Sequence, residues 1–507
     1  MDIAHSQNAP ISSWAQVAES GRLAYRHLPS GDRMVDFSYA GYGGGGVKLP
    51  KLAVKKTVQP SGGDDTATIQ EVIDEVAQLP LSHGVRGAVL LTKGHFRCRG
   101  TLRLNADGIV LRGSGAQKSG TIIEMTAEPH LGVAVGSRME IQATGTPVPA
   151  LDAYVASGAQ SLDVADPSTF VVGDRVQIVR PVTSTWLAFM GMDSLSRNGR
   201  KETWVSGSLE TVRTIARIAG TRLFFDVPLT DSYDKAYLGP GGATVVKVTE
   251  KGEIANVGIE SIRFVAPARK IILSDKPFDG LAMQGVVDGW ARDLQFVDVT
   301  EAVEIARTSR RVTVEDVDVE QSTPIQGAAK PADFSLNGTQ ILVDRCSAAG
   351  DNVFYIAVGP AMQGPNVVLH CSFHGNGHIQ PHQRWSTGIL IDSCEVRDGG
   401  IDLMNRGEMG SGHGWTMGWG VAWNNIAKSY VIQMPPGSTN WAIGNRGTQL
   451  LGKMQTYGPG PEPTLLPQGI IESQGTPVIP GSLYLQQLRD RLGPRALRNI
   501  GYRSPNQ

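Results

Sequence analysis

Apolar residues return along the second half of the chain in a fixed figure. In ILVDRCSA, VVLHCSF and ILIDSCEV the cysteine can be set as position zero. Positions −3, 0 and +2 are then Val343, Cys346 and Ala348; Val368, Cys371 and Phe373; and Ile391, Cys394 and Val396. The figure extends backward through Val314, Val317 and Val319, Ala291, Leu294 and Phe296, and Ile259, Ile262 and Phe264. Positions −2 and −1 are mostly polar. The zero positions fall at 262, 294, 317, 346, 371 and 394, so the steps are 32, 23, 29, 25 and 23 residues. This pattern predicts a short strand, a tight polar turn and another short strand, restarted once per coil. No such unit buries its apolar face alone, and stacking builds one continuous core. Neighbouring coils lie ~4.8 Å apart, so like residues form ladders. The three cysteines read as a ladder of small buried thiols.

Elsewhere the period changes. Ile69, Val72, Ile73 and Val76 recur at helical spacing, with Asp64 or Asp65 able to cap the helix. Such a helix would protect the unpaired edge of the first coil. From 131 to 250 the coil figure lapses, and GAQSLDVADPSTFVVGDRVQIVRP and TVRTIARIAGTRLFFDVPL read as antiparallel strands of a β-rich insertion. Its apolar stretch STWLAFMGMDSL reads as core. After the linker YGPGPEPTLLP comes a last helix, capped by Ser482, stopped by Gly493, with Leu485, Leu488 and Leu492 on one face. The expected divisions are 1–130 (N-terminal segment, capping helix, first coils), 131–250 (insertion), 251–450 (main coils with the candidate site) and 451–507 (linker and C-terminal helix).

The repeat, together with GGDDTATIQEVIDEVAQLP followed by GAVLLTKGHFRCRGTLRLNADGIVLRGSG, resembles the right-handed parallel β-helix of the pectate-lyase-like superfamily, over roughly residues 35–130 and 250–450. The resemblance implies an all-β chain: a right-handed parallel β-helix with an N-terminal capping helix, a β-rich insertion and a C-terminal helix. It implies a carbohydrate-active enzyme, either lyase or hydrolase. Some relatives use Ca2+, and Asp351 is the residue that could join such a site, although no Asp/Glu cluster has convincing spacing. No cofactor or metal is expected to be required.

Composition narrows the partners. The net charge of −1, without a basic stripe, argues against nucleic acid. No apolar run approaches the ~20 residues of a membrane span. The 61 glycines and 29 prolines suit a turn-rich β chain rather than a bundle. No signal peptide is visible at MDIAHSQNAP, and the resemblance implies a periplasmic or secreted protein. GYGGGGVKLP lacks the strand and helix context of a phosphate loop and reads as a flexible loop near the N-terminal end of the helix, with Tyr39 and Tyr42 within reach of a substrate.

The candidate chemistry lies where residues leave the strand figure. GNGHIQPHQRW carries His378, His382, Arg384 and Trp385; one coil on, MNRGEMGSGHGWTMGWGVAWNN carries Asn405, Arg406, His413, Trp415, Trp419 and Trp423. His370, His374, His378 and His382 recur every fourth residue, but Gly375, Gly377 and Pro381 forbid the helix a metal reading needs. Loops on consecutive coils stand side by side, so the two clusters are expected in one cleft. Arginine pairs with carboxylates, imidazole moves protons near neutral pH, and indoles stack on sugar faces. These parts suit β-elimination in an acidic polysaccharide. Arg384 and Arg406 are expected to neutralise the uronate, with His382 and His413 as base and acid in either order. Tyr355 is a reserve acid, and His378, Trp385, Asn405, Trp415 and Trp419 bind substrate. A hydrolase would instead need paired carboxylates, for which Asp351, Asp402 and Glu408 are the candidates. GDN at 350–352 resembles part of the polygalacturonase pattern, but Asn352 stands where the second acid belongs, and GHG falls at 412–414. A noncatalytic, glycan-binding or adhesive β-helix is the third reading.

Overall fold

The computed structural model describes residues 9–503 except 271, 273, 328, 455 and 457–463; most of the expected linker therefore lies outside the described residues. The chain is a right-handed parallel β-helix, carrying a β-rich insertion and a C-terminal helix. Three parallel ladders run its length. The first climbs from Gly87–Leu91 through Arg310–Glu320 and Ser386–Asp392 to Ile470–Glu472. The second carries Gly94–Cys98, Thr121–Met125, Ser347–Ala349 and Ser372–His374. The third stacks Leu131–Gly136, Asp279–Gln284, Val303–Ile305, Ala332–Leu336, Phe354–Ala357 and His378–Ile379.

The repeat figure sets the register. Position −3 pairs in sequence as Ile259 with Ala291, Val314, Val343, Val368 and Ile391. Position +2 pairs Phe264 with Phe296, Val319, Ala348 and Phe373. The position −1 residues, Ser261, Asp293, Asp316, Arg345, His370 and Ser393, all have φ between 48° and 57°. One left-handed residue turns the strand sharply while leaving the flanking apolar positions in the core. His370 is such a turn residue, its Nδ1 2.8 Å from the Tyr502 hydroxyl. The thiols of Cys371 and Cys394 donate to the carbonyls of Val343 and Val368, at 3.7 and 3.4 Å.

Helix Thr66–Ala77 packs Ile69, Ile73 and Val76 on the first coil. Asp64 rather than Asp65 meets its start, accepting from the Thr66 amide at 3.1 Å; Asp65 accepts from Ser61 and Arg97. The C-terminal helix Leu483–Leu492 begins at Ser482, which accepts from the Leu485 amide at 3.2 Å. Its buried face is Leu483, Tyr484 and Leu488, not the expected Leu485–Leu488–Leu492 face, and Leu492 is 45% exposed. The helix lies on the exterior of the first ladder, where the N-terminal segment supplies Phe37 and Ala40 to the same cluster. The glycine run is correspondingly no loose end: a Cβ on Gly45 would stand 2.1 Å from the Ser38 carbonyl, and one on Gly46 2.7 Å from Ala496. Tyr42 donates to Asn256 and Tyr39 accepts from Gln160, so both hydroxyls are engaged in holding the fold.

The insertion is an antiparallel sheet including Arg175–Pro181, Ser208–Ala219 and Thr244–Lys251, with its own core around Ile178, Leu223 and Val245. It is tied to the coils by Arg213, which donates to the Gly364 carbonyl at 2.9 Å, and by Thr230 against Thr387 at 2.8 Å. STWLAFMGMDSL supplies helix Ser184–Phe189, with Trp186 buried.

Candidate functional site

The stacking of coils brings the two candidate loops together. The Arg384 amide donates to the His413 carbonyl and the Trp385 amide to the Trp415 carbonyl, both at 2.9 Å. Arg406 Nη1 donates to the His382 carbonyl at 2.7 Å. The His382 and His413 rings lie 4.7 Å apart, although 31 positions separate them in sequence.

Phe354, on the third ladder, is the hub. His382 meets its ring edge-on at 5.4 Å, the Arg406 guanidinium lies 5.4 Å from its centroid, and the Lys330 ammonium 5.9 Å. His378 is its ladder partner on the next coil. There Nδ1 of His378 lies 2.6 Å from Asp402, which also accepts from Gln380 at 2.7 Å. The ring needs Gly400 beside it, since a Cβ there would stand 2.7 Å from Nδ1. Gly410 plays the same part for His413, whose Nε2 would lie 2.1 Å from an added Cβ.

The electrostatics follow from crowding cations into a partly dry place. Burial, then Arg406, push His382 down to about 4. Burial, then Arg406, His382, Arg384 and Arg197, push His413 to about 3. Lys330 is lowered by burial and by Arg406. Both imidazoles are therefore neutral near pH 7, beside several positive charges. Arg384 is held by Ser411, donating to its carbonyl at 3.0 Å and its hydroxyl at 2.7 Å.

Several expected roles do not survive the packing. Tyr355 is no reserve acid: it stacks on Phe373 in the core at 4.9 Å, its hydroxyl bonds to Gly350 and Gly377, and burial pushes it up to about 12. Trp385 and Trp415 offer no open platform beside the cationic cluster, in which Arg406 and His413 are themselves buried. They pack against Trp186, Trp204 and Met192 of the insertion, and the Trp415 indole donates to the Met190 carbonyl. Trp419 is 1% exposed and packs with Trp441, while Trp423 donates to the Pro480 carbonyl. Asn405 is buried and accepts from the Gly407 amide, shaping the loop. Of the candidate acids, Asp351 accepts from the Asn376 amide on another turn and Glu408 from the Ser196 amide of the insertion. Asp402 does not face solvent; it is buried and paired with His378. Histidine and arginine stood out in the sequence, whereas Phe354, Lys330 and Gln380 did not. A coil step of 24 residues from His378 back to Phe354 is the signal that points to the hub.

A second set of carboxylates climbs the third ladder. Asp279 accepts from the Glu301 amide at 3.1 Å on the next coil, and Asp333 follows one coil further. Burial raises Asp279 to about 6, Glu301 to about 7 and Asp333 to about 8; Glu304 adds to the rise of Asp279, Asp279 and Glu304 to that of Glu301, and Glu301 to that of Asp333. Among the described residues, no group of three or more His, Cys, Asp or Glu side chains is arranged to hold a metal ion. No helix is long and apolar enough to cross a membrane.

No family model matches the chain, and no curated protein matches it. Solved structures similar to it include phage tailspikes. The tailspike protein gp49 from Pseudomonas phage LKA1 is 15% identical, over 81% of this chain and 74% of that one, with a TM-score of 0.41. The gp54 tailspike of Acinetobacter baumannii bacteriophage AP22, in complex with A. baumannii capsular saccharide, is 10% identical over 81% and 71%, with a TM-score of 0.26. A mutant tailspike of E. coli bacteriophage HK620 in complex with pentasaccharide is 10% identical over 77% of this chain and 55% of that one, with a TM-score of 0.42.

Proposed function

We propose that the chain is a carbohydrate-active β-helix that cleaves a uronate-containing polysaccharide by β-elimination. The observation that carries this reading is the placement of Arg384 and Arg406 beside two imidazoles kept neutral at physiological pH, with Lys330 and Arg406 over the same Phe354 ring. Asp402, paired with His378, leaves the cations here in excess; a uronate adds negative charge, and its carboxylate, bound by the guanidinium groups, makes the neighbouring C5 proton removable. His382, the more exposed of the two rings, takes that proton. The C5 electron pair forms the C4–C5 double bond as the C4–O4 bond breaks. The leaving oxygen takes its proton from the Lys330 ammonium, which burial and Arg406 make more acidic than an ordinary lysine. His413 does not serve as the acid in this scheme, because an imidazole titrating at about 3 carries no extra proton to give. It packs against His382 and holds that ring. His378, fixed through Nδ1 by Asp402, lines the same turn as a hydrogen-bonding partner for the sugar hydroxyls.

Incubating the protein with a panel of acidic polysaccharides, while following ultraviolet absorbance and reducing ends together, tests this. The expected result is an unsaturated chromophore that rises with the reducing ends and is lost in Arg384→Ala. Reducing ends without the chromophore would overturn elimination. One observation favours that second reading, a hydrolase: the raised acids Asp279, Glu301 and Asp333 are carboxyls able to carry a proton near neutral pH. In that case Glu301→Gln, not Arg384→Ala, abolishes turnover. Binding without any cleavage would support the noncatalytic reading.

A further inference from the structure

A cleft of about 840 Å³ lies between the N-terminal segment, the insertion and the coils. Its size is within the ~300–1,000 Å³ usual for small-molecule sites. Trp385 and Trp415 line it, whereas Arg384, Arg406, His382 and His413 do not. It is therefore a separate place from the cationic cluster, which it adjoins through Trp385 and Asn405.

Three features define what fits. The first is an aromatic wall: Phe189 and Tyr237, both half-buried, stack at 4.0 Å with 22° between their planes. Such a wall accepts the apolar face of a ring or a methyl group, and Met434, Pro435 and Leu466 extend the apolar surface. The second is a set of unengaged donors. Arg180, 5% exposed, stacks on Trp186 at 4.0 Å and lies 3.7 Å from Asp231 without a hydrogen bond. Nε is thus ion-paired with Asp231, but Nε and Nη1 are buried and have no hydrogen-bond partner among the described residues; Trp419 Nε1 and Ser438 Oγ likewise have none. All three residues line the cleft. Buried donors without acceptors are costly, so an occupant that brings acceptors is favoured. The third feature is charge. The one guanidinium faces Asp32, Asp231 and Asp234, so an anionic sugar gains little here. Asp32 already accepts from Ser30, Tyr154 and Ser157, and Asp231 from Ser232 and Trp385, so Asp234 is the carboxylate left to meet a sugar hydroxyl.

We propose that this cleft is a second carbohydrate site that takes a neutral sugar unit bearing an acetyl substituent, the methyl packed on the Phe189–Tyr237 wall and the carbonyl accepting from Arg180. An acetyl group combines a small apolar end with a strong, uncharged acceptor. The inference stands on this cleft alone and does not require the lyase reading.

The test is calorimetric titration of the full chain, supported by tryptophan fluorescence because Trp186, Trp385, Trp415 and Trp419 all line the cleft. The probes are triacetylchitotriose, maltotriose as a neutral saccharide without acetyl groups, and trigalacturonate. The expected result is saturable binding of triacetylchitotriose at least about tenfold tighter than maltotriose, weakened about tenfold or more in Phe189→Ala and unchanged in Arg384→Ala. Tyr237→Ala provides an independent variant should Phe189→Ala melt at a lower temperature than the wild type. Equal binding of the two neutral probes, no saturation by triacetylchitotriose, or full binding retained in both aromatic variants would overturn the proposal. Trigalacturonate binding that depends on Arg384, without any response to triacetylchitotriose, would sink this inference and leave the reading of the cationic cluster standing.

Discussion

Arg406 is placed where one side chain governs three others. It donates to the His382 carbonyl, lies 5.4 Å from the Phe354 ring centroid, and its charge depresses both His382 and His413. Replacing it with methionine keeps the bulk and removes the charge. Both imidazoles should then titrate higher, by on the order of one unit, in proton NMR of the ring hydrogens. Unmoved titrations would remove the electrostatic basis of the site. In the wild type, turnover should rise as pH passes through about 4, where His382 becomes an unprotonated base, and hold steady across neutrality. It should fall again when Lys330 loses its proton, below the ordinary lysine range. A profile still climbing between pH 6 and 8 would contradict His382 as the base. At this scale the sequence pointed to two loops that the fold sets side by side, because histidine and arginine leaving an apolar figure are conspicuous. The roles within the loops were not legible. Trp385, Trp415 and Tyr355 have the chemistry of binding residues, and only their neighbours decide that they pack instead.

The ladder is the element that repeats, and its polar members are as informative as its apolar ones. Asp279, Glu301 and Asp333 have folded-state values of about 6, 7 and 8, above the usual carboxylate range of ~4 for an unfolded chain. The folded state therefore holds protons that the unfolded state releases. The stability these groups contribute is complete below about pH 4 and is lost progressively as pH rises toward 8, by up to about 1.4 kcal/mol per unit for each group in its window. Asp333→Asn should leave the melting temperature unchanged near pH 4 and raise it near pH 8, by calorimetry. An equal shift at both pH values would show that Asp333 does not titrate as described. The apolar ladder makes a simpler expectation. Cys371→Ala removes a buried, close-packed group and should cost on the order of 1 kcal/mol, read from denaturant midpoints. Register was fully legible in advance. The −3 and +2 positions pair coil to coil because a parallel ladder brings like residues into line and a one-residue slip would put apolar side chains in water. The acid ladder was not legible, since its members occupy no fixed place in that figure.

Across the whole molecule, the insertion is clamped onto the coils through aromatic packing. Trp385 meets Trp186 and Trp204 edge-on at 5.9 and 6.0 Å and donates to Asp231 at 3.0 Å. Trp385→Ala should cost about 3–5 kcal/mol and speed hydrogen exchange across the insertion near 184–205, leaving the early coils protected. Uniform exchange change along the chain would show that insertion and coils unfold as one. The sequence by itself determined the solenoid, its register, its turn residues, the capping helix Thr66–Ala77 and the helix Leu483–Leu492, because each follows from local periodicity and from the need of every coil to bury the same face. Only the tertiary structure decided which polar residues meet, that the insertion takes the tryptophans for packing, and that a second cleft forms behind them. Those outcomes depend on contacts between segments far apart in the chain, and no spacing along the sequence encodes the distance between them.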